Sequence, residues 1–307
     1  MSDFPRRVKI VEVGPRDGLQ NESSILSTEV KARYIELLLQ SGLKTVEATS
    51  FVRKEKIPQM GDASILYPEV KKLNAKYGAA IPCLVPNTIG LENAINVGVK
   101  EIAIFTATSN QFNQKNINAT IDGSFERLSK VAAVARSNKM KIRAYVSTVF
   151  GCPYEGETSL ETLEEVVTRL VDLGAYEISL GDTIGVGHPL LVRKVLERLC
   201  SKFDKKLFAM HFHDTYGMAL VNAMTSLEYG ISTFDSSSAG LGGCPYAQGA
   251  TGNVATEDLL YLFDKLGIET GVDMTKLMQA GEYILSHMPN RTSASRVYQA
   301  LSNKKTN

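Results

Sequence analysis

The sequence predicts an α/β fold, a (β/α)8 TIM barrel with an additional C-terminal helical segment. Three observations predict it. Eight short, apolar, often β-branched runs occur at 8–13, 45–49, 79–85, 101–106, 141–149, 176–180, 207–212 and 231–235. Helical patterns separate these runs, and such alternation repeated eight times is the signature of a barrel. Polar and ionisable residues gather at or just beyond the C-terminal ends of the runs, which in a parallel barrel all open on one face.

Taken in order, the runs suit strands buried on both sides. After the first, Val30, Tyr34, Leu37 and Leu38 make one apolar helical face, with Gly42 as its stop. After the fifth, Thr158 and Glu161 read as a capping box ahead of Val166, Val167 and Leu170. Pro189 suits the first turn of a helix running to about Cys200. Thr256, followed by Glu257 and Asp258, reads as the cap of a helix carrying Leu259, Leu260 and Leu262. A further helix is expected over 273–287, under or beside the barrel. One catalytic domain is expected over 1–307, with the barrel over about 6–267 and the extension over about 268–307. An open doubly wound sheet fits less well, because no Gly-x-Gly-x-x-Gly follows the first run.

The composition, 44% hydrophobic and 22% charged over 307 residues, is that of a globular chain with one large core. A net charge of +1 with dispersed cations speaks against a nucleic-acid or membrane surface. No secretory or transit segment is visible, and no apolar stretch is long enough to span a bilayer. The cysteines, Cys83, Cys152, Cys200 and Cys244, include no Cys-x-x-Cys pair, which argues against a zinc knuckle or redox dithiol. Their usage suggests a reducing, cytoplasmic compartment.

The chemistry lies at the strand ends. The first run leads into Arg16 and Asp17, the second carries Glu47 and Ser50, the fifth Tyr145, and the sixth Ser179 and Asp182. The seventh carries His211 and His213, which point to the same side of a strand and so begin a metal site. Two core histidines is the bland reading, and it loses weight because the chain has 4 histidines in all. Asp17 can add an oxygen, whereas Asp214, facing away from His213, is assigned to fixing its loop. Without a thiolate, the donor set favours a six-coordinate ion such as Mg2+ or Mn2+ over tetrahedral zinc. Gln20, Ser50 and Ser179 are assigned to substrate binding. The stretch from Gly240 to Asn253 holds five glycines around Cys244, a density that lets backbone approach a ligand. A cysteine there is poorly explained by packing.

The segments Val11 to Glu22, Gly151 to Gly156, Tyr176 to Gly185, His211 to Gly217 and Gly240 to Asn253 closely resemble the 3-hydroxy-3-methylglutaryl-CoA lyase family. The resemblance implies a TIM barrel that cleaves this acyl-CoA to acetyl-CoA and acetoacetate with Mg2+ or Mn2+. It implies Asp17, His211, His213 and Asn253 as metal ligands, and Arg16 and Cys244 as catalytic residues. Glu47, Asp182 and Tyr145 match further active-site positions. It also implies a homodimer acting on an acyl-CoA, with no nucleic-acid or membrane partner. Ser23 stands where animal members carry Lys, and no Cys follows Cys244, so the thiol regulation of animal members is not expected.

The chemistry so implied is a retro-Claisen cleavage. Asp17 or His211 is a candidate for the base that takes the hydroxyl proton. Arg16 faces the thioester oxygen, and Cys244 gives a proton to the enolate. Two readings compete: a Claisen-type condensing enzyme or aldolase using the same residues, and a barrel that binds acyl-CoA or metal without turnover.

Overall fold

The computed structural model describes residues 4–243 and 252–304. Alternation of strand and helix runs through the chain as the sequence predicts. The strands are β1 Lys9–Glu12, β2 Thr45–Val46, β3 Thr49–Ser50, β4 Cys83–Leu84, β5 Glu101–Ala107, β6 Lys141–Ser147, β7 Ala175–Asp182, β8 Phe208–Phe212 and β9 Thr233–Ser236. The helices that cover them are α1 Thr28–Gln40, α2 Ala63–Tyr77, α3 Thr88–Val97, α4 Asn110–Ile117, α5 Ile121–Ser137, α6 Leu160–Asp172, α7 Pro189–Cys200, α8 Ala219–Glu228 and α9 Thr256–Lys265. The extension adds α10 Met274–Ser286 and α11 Arg296–Lys304.

The strands form one parallel sheet in the order β2-β1-β9-β8-β7-β6-β5-β4-β3. Its two edges, β2 and β3, are halves of the single run predicted at 45–49, and that run closes the ring. Thr45 pairs with Val11 on one side and Ala80 on the other. Along the run, Val46 and Ala48 donate to Ala80 and Pro82, while Glu47 between them donates to Glu12. Alternate amides thus serve opposite neighbours, as they must in a strand with no free edge.

Period-two alternation divides the core. Ile102, Ile104, Ile142, Ala144 and Val146 face the helices in the main apolar layer, while Ala103, Phe105 and Tyr145 face the barrel axis. The interior also carries charge. Arg143, fully buried, donates from Nε to Glu177 Oε1 at 2.7 Å and from its two terminal nitrogens to Asp235 at 2.6 and 3.2 Å. Such a group tolerates burial only when its fork is filled by carboxylates, as here.

Two predicted caps differ. Ser159, not Thr158, accepts from Thr162 N at the start of α6, because Thr158 turns its hydroxyl to Thr148 O at the barrel top. Ala255 holds the cap position of α9. Thr256 donates instead to Glu12 Oε2 at 2.7 Å, a buried carboxylate it reaches only from inside the helix. Gly42 does follow α1, with φ +104, and a Cβ there would lie 2.3 Å from Gly271 O. The extension does not stay beside the barrel. After α10 it returns over the mouth, where Ala294 N donates to Ala239 O at 3.0 Å, and Asp258 of α9 caps α11 through Ser295 and Val297. Among the described residues no helix is long and apolar enough to cross a membrane.

Candidate active site

Arg16 and Asp17 reach the mouth through a single wide helical turn, Gly14–Gly18, that follows β1. The amides of Arg16, Asp17 and Gly18 all converge on Val13 O, so the turn points both side chains over the axis. From β8, His211 and His213 project on the same face. Their Nε2 atoms lie 3.3 Å apart, and Asp17 Oδ2 is 3.9 Å from His211 Nε2. The three residues offer ligand atoms that all lie within 4.8 Å of one another. Asn253 pairs by backbone with His213, and its Nδ2 donates to Asp17 Oδ2 at 2.9 Å.

The electrostatics suit a cation. Burial opposes the charge of Asp17, but Arg16, His211 and His213 outweigh it and bring the carboxyl down to about 2. Burial and the neighbouring His211 bring His213 down to about 4, so it is a neutral imidazole. His211 Nδ1 lies 3.3 Å from Asp235 Oδ2, a contact that orients the ring and turns Nε2 toward His213 and Asp17. Burial again opposes, yet Arg143 and His211 hold Asp235 well below the usual carboxylate range. Two imidazole nitrogens and one carboxylate therefore converge on one small space. A divalent ion with nitrogen and oxygen ligands fits that donor set.

Beside it stands a second cluster. Arg16 donates from Nε to Glu47 Oε2 at 2.8 Å, pairs with Asp17, and lies over the Tyr145 ring at 5.1 Å. Burial disfavours its charge, but Glu47 and Asp17 prevail and its pKa is raised. Tyr145 donates to the same Glu47 oxygen at 2.8 Å. Burial raises the Glu47 pKa despite Arg16, and its Oε1 has no hydrogen-bond partner among the described residues. Burial likewise raises Asp182 to about 7 against the amides of Gly187, Val186 and Gly185.

A cavity of about 1090 Å³ opens over both clusters. Arg16, Asp17, Tyr145, His211 and His213 line its inner end, and Arg53, Lys56, Lys115 and Arg127 line its outer part. Gln20 also lines it, and its Oε1 has no hydrogen-bond partner among the described residues. Ser50 and Ser179 are buried off the cavity, donating to Leu84 O and to Asp235 Oδ2 at 3.4 and 2.7 Å. Ser179 thus acts on Asp235. Asp182 and Glu47 are buried behind the lining, Glu47 touching it through Arg16 and Tyr145. Asp214 accepts from Ala219 N at 3.0 Å and fixes the loop into α8. Cys244 lies outside the described residues, while its neighbour Gly243 lines the cavity.

Sequence reasoning missed Arg143 and gave Asp235 no role. The signal was present: a lone Arg inside an apolar strand, two positions before Tyr145 and hence on its face.

The HMGL-like family model matches residues 7–284. A mitochondrial hydroxymethylglutaryl-CoA lyase of Pongo abelii is 49% identical over 300 residues, covering 98% of this chain and 91% of the relative. A cytoplasmic 3-hydroxy-3-methylglutaryl-CoA lyase of Rattus norvegicus is 48% identical over 98% of this chain and 86% of its own length. The crystal structure of hydroxymethylglutaryl-CoA lyase from Pseudomonas aeruginosa superposes with a TM-score of 0.94 at 45% identity, covering 98% of this chain and 99% of that one. An HMG-CoA lyase from Acinetobacter baumannii, in complex with coenzyme A and 3-methylmalate, superposes with a TM-score of 0.91 at 31% identity, covering 98% and 97%.

Proposed function

This chain belongs to the HMGL-like family, and from that premise we propose that it cleaves 3-hydroxy-3-methylglutaryl-CoA to acetyl-CoA and acetoacetate. It is a carbon–carbon lyase acting on an acyl-CoA. The observation that carries the reading is the meeting of Arg16 with Asp17, His211 and His213 at the inner end of one large cavity.

The reaction is balanced by two proton movements. The C3 hydroxyl loses a proton, and its electrons form the ketone of acetoacetate as the C2–C3 bond breaks. The bond's electrons collect on the thioester as an enolate, which takes a proton at C2. Asp17, His211, His213 and Asn253 would hold a divalent ion, which we take to be Mg2+ or Mn2+. When bound it supplies Lewis acidity that makes the hydroxyl more acidic. Asp17, held at about 2, suits a cation better than it suits a travelling proton. Arg16, with its charge secured by Glu47 and Asp17, is the donor to the thioester oxygen as charge develops there. Tyr145 and Glu47 keep the guanidinium in place. Cys244 is the proposed proton donor to the enolate carbon. Its family match and the place of Gly243 in the cavity wall support that role.

The basic outer part of the cavity suits the phosphates of coenzyme A. Gln20 is proposed to touch the acyl portion. A homodimer, a cytoplasmic location and a place in leucine-degradation or ketone-body type chemistry complete the reading. Its test is direct. Purified protein given racemic substrate should release acetoacetate and acetyl-CoA in equal amounts. Condensation of acetyl-CoA with a 2-oxo acid, with this thioester left intact, would sink it in favour of a synthase.

A further inference from the structure

Three stretches far apart in sequence meet at one small turn beside the metal site. Glu22 follows the wide turn after β1, Gly240 to Gly242 follow β9, and Arg291 belongs to the segment that returns over the mouth after α10. Arg291 donates from Nε to Glu22 Oε1 at 2.9 Å, and Gly242 N donates to that same oxygen at 2.9 Å. Arg291 Nη2 donates to Gly240 O at 2.8 Å and to Gly242 O at 3.2 Å, and Nη1 to Thr292 O at 3.0 Å. Glu22 is itself anchored through its carbonyl, which accepts from Gln59 Nε2 at 2.7 Å. The two side chains therefore take Gly242 by both polar groups, its N–H on Glu22 and its C=O on Arg291.

Gly242 is no idle residue to hold. Its φ is +103, and a Cβ on it would lie 3.1 Å from Asn253 Nδ2 and 3.2 Å from Gly18 Cα. Leu241 O lies 3.4 Å from Asn253 Nδ2, the same amide that donates to Asp17 Oδ2. The clamped backbone is thus packed directly on the edge of the site formed by Asp17 and Asn253. From this geometry we propose that Arg291 and Glu22 are positioning residues that set the Asp17–Asn253 edge of the metal site from the C-terminal extension. The inference rests on the metal-binding reading given above.

An exposed ion pair contributes little by itself. This one is shielded, with side-chain exposures of 25% and 12%, and each charge also completes backbone groups that face away from the barrel's own ladders. A simpler role would be a staple that fastens the extension and nothing else. The two roles separate by measurement. Full-length wild type and Arg291→Gln, stripped of metal, are compared by Mn2+ titration followed by electron paramagnetic resonance. Amide exchange is measured on peptides covering 16–22 and 237–243, and kinetics are measured at saturating metal. Loss of a group that orients metal ligands typically weakens metal binding about 10-fold, and that is the expected fall. Both peptides should exchange faster while α5 and α6 do not change. The kcat should fall with KM within about twofold of wild type. Arg291→Lys, which keeps the charge without the fork, and Glu22→Gln should fall between. They carry the same comparison if Arg291→Gln does not fold. Wild-type Mn2+ affinity and exchange, with only the melting temperature lowered, would overturn the clamp. A wild type that leaves hydroxymethylglutaryl-CoA intact removes the proposed reaction alone, and Mn2+ binding and exchange then decide the clamp.

Discussion

Arg16 carries two duties, and its substitutions should part them. It is the partner of the buried Glu47 and the proposed donor to the thioester oxygen. Removing one partner of a buried pair destabilises by roughly 3–5 kcal/mol, so Arg16→Met should melt lower. It should also lose roughly 10²- to 10³-fold in kcat with KM little changed, since the contact matters mainly in the transition state. Arg16→Lys keeps a charge for Glu47 and should recover much of the melt, yet stay slow, because the planar fork is gone. A lysine variant within a few-fold of wild-type kcat would remove the catalytic role. The ligand triad makes a second prediction: chelation should abolish cleavage and Mg2+ or Mn2+ restore it, and full activity in metal-free protein would refute it. Cys244→Ser should bind substrate nearly as well but turn over far more slowly, as a hydroxyl is the weaker acid. An acyl-enzyme trapped on Cys244 would contradict that. At this scale the sequence was readable where chemistry repeats a pattern. His211 and His213 share a face by strand period alone, and Arg16-Asp17 marks a strand end. Arg143 and Asp235 were less visible, because an ion pair spanning β6 and β9 joins residues that only the closed ring makes neighbours.

Elements were legible to the extent that their signals are local. All eight strand runs exist, since apolar β-branched runs need no tertiary context to stand out. The split of the second run into β2 and β3 was not legible, because it reflects which neighbour each amide serves. Caps at Ser159 and Ala255 were misplaced by one residue for a related reason. Thr158 and Thr256 have better partners elsewhere, in Thr148 O and the Glu12 carboxylate. The extension's return to the mouth was likewise hidden, because Asp258 caps α11 from another helix. These assignments predict opposite outcomes for adjacent residues. Ser159→Ala removes the acceptor for Thr162 N and should cost about 1 kcal/mol in urea unfolding, with turnover unchanged. Thr158→Ala should instead leave Thr148 O at the barrel top with Thr108 as its hydroxyl donor, and its effect should not appear as fraying of α6. Amide exchange across 160–163 distinguishes them, and faster exchange in Thr158→Ala than in Ser159→Ala would reverse the cap assignment.

The whole molecule is held at its mouth by buried acids, and this gives its stability a sign with pH. Glu12 accepts from Gly14 N, Ser238 N and Thr256, while Glu257 takes Ala239 N with both oxygens, so the pair ties β1, α9 and the turn after β9 together. Burial pushes Glu12 from 4.5 up to about 7 and Glu257 from 4.5 up to about 8, and the backbone donors only partly offset it. Asp258 and Tyr34 face the same pair, and Asp258 and Glu12 add repulsion that raises Glu257 further. An acid raised in the folded state holds a proton that the unfolded chain has released. Stability from these groups is therefore complete below 4.5 and declines as pH rises toward 8. Other groups act in the opposite direction at lower pH. His213, lowered from 6.5 to about 4, contributes stability that is lost as pH falls below 6.5. Asp17, lowered from 3.8 to about 2, does the same below 3.8. The window from 6.5 to 8 isolates the raised acids, with Asp182, raised to about 7, on their side. Metal-free protein should thus melt progressively lower across that window, and Glu257→Gln, which cannot ionise, should flatten the decline. A wild-type melting temperature that holds or rises there would show that Glu12 and Glu257 are already ionised in the fold. The turn after β9 would then be held by two carboxylates whose mutual repulsion the amides of Gly14, Ser238 and Ala239 absorb in full.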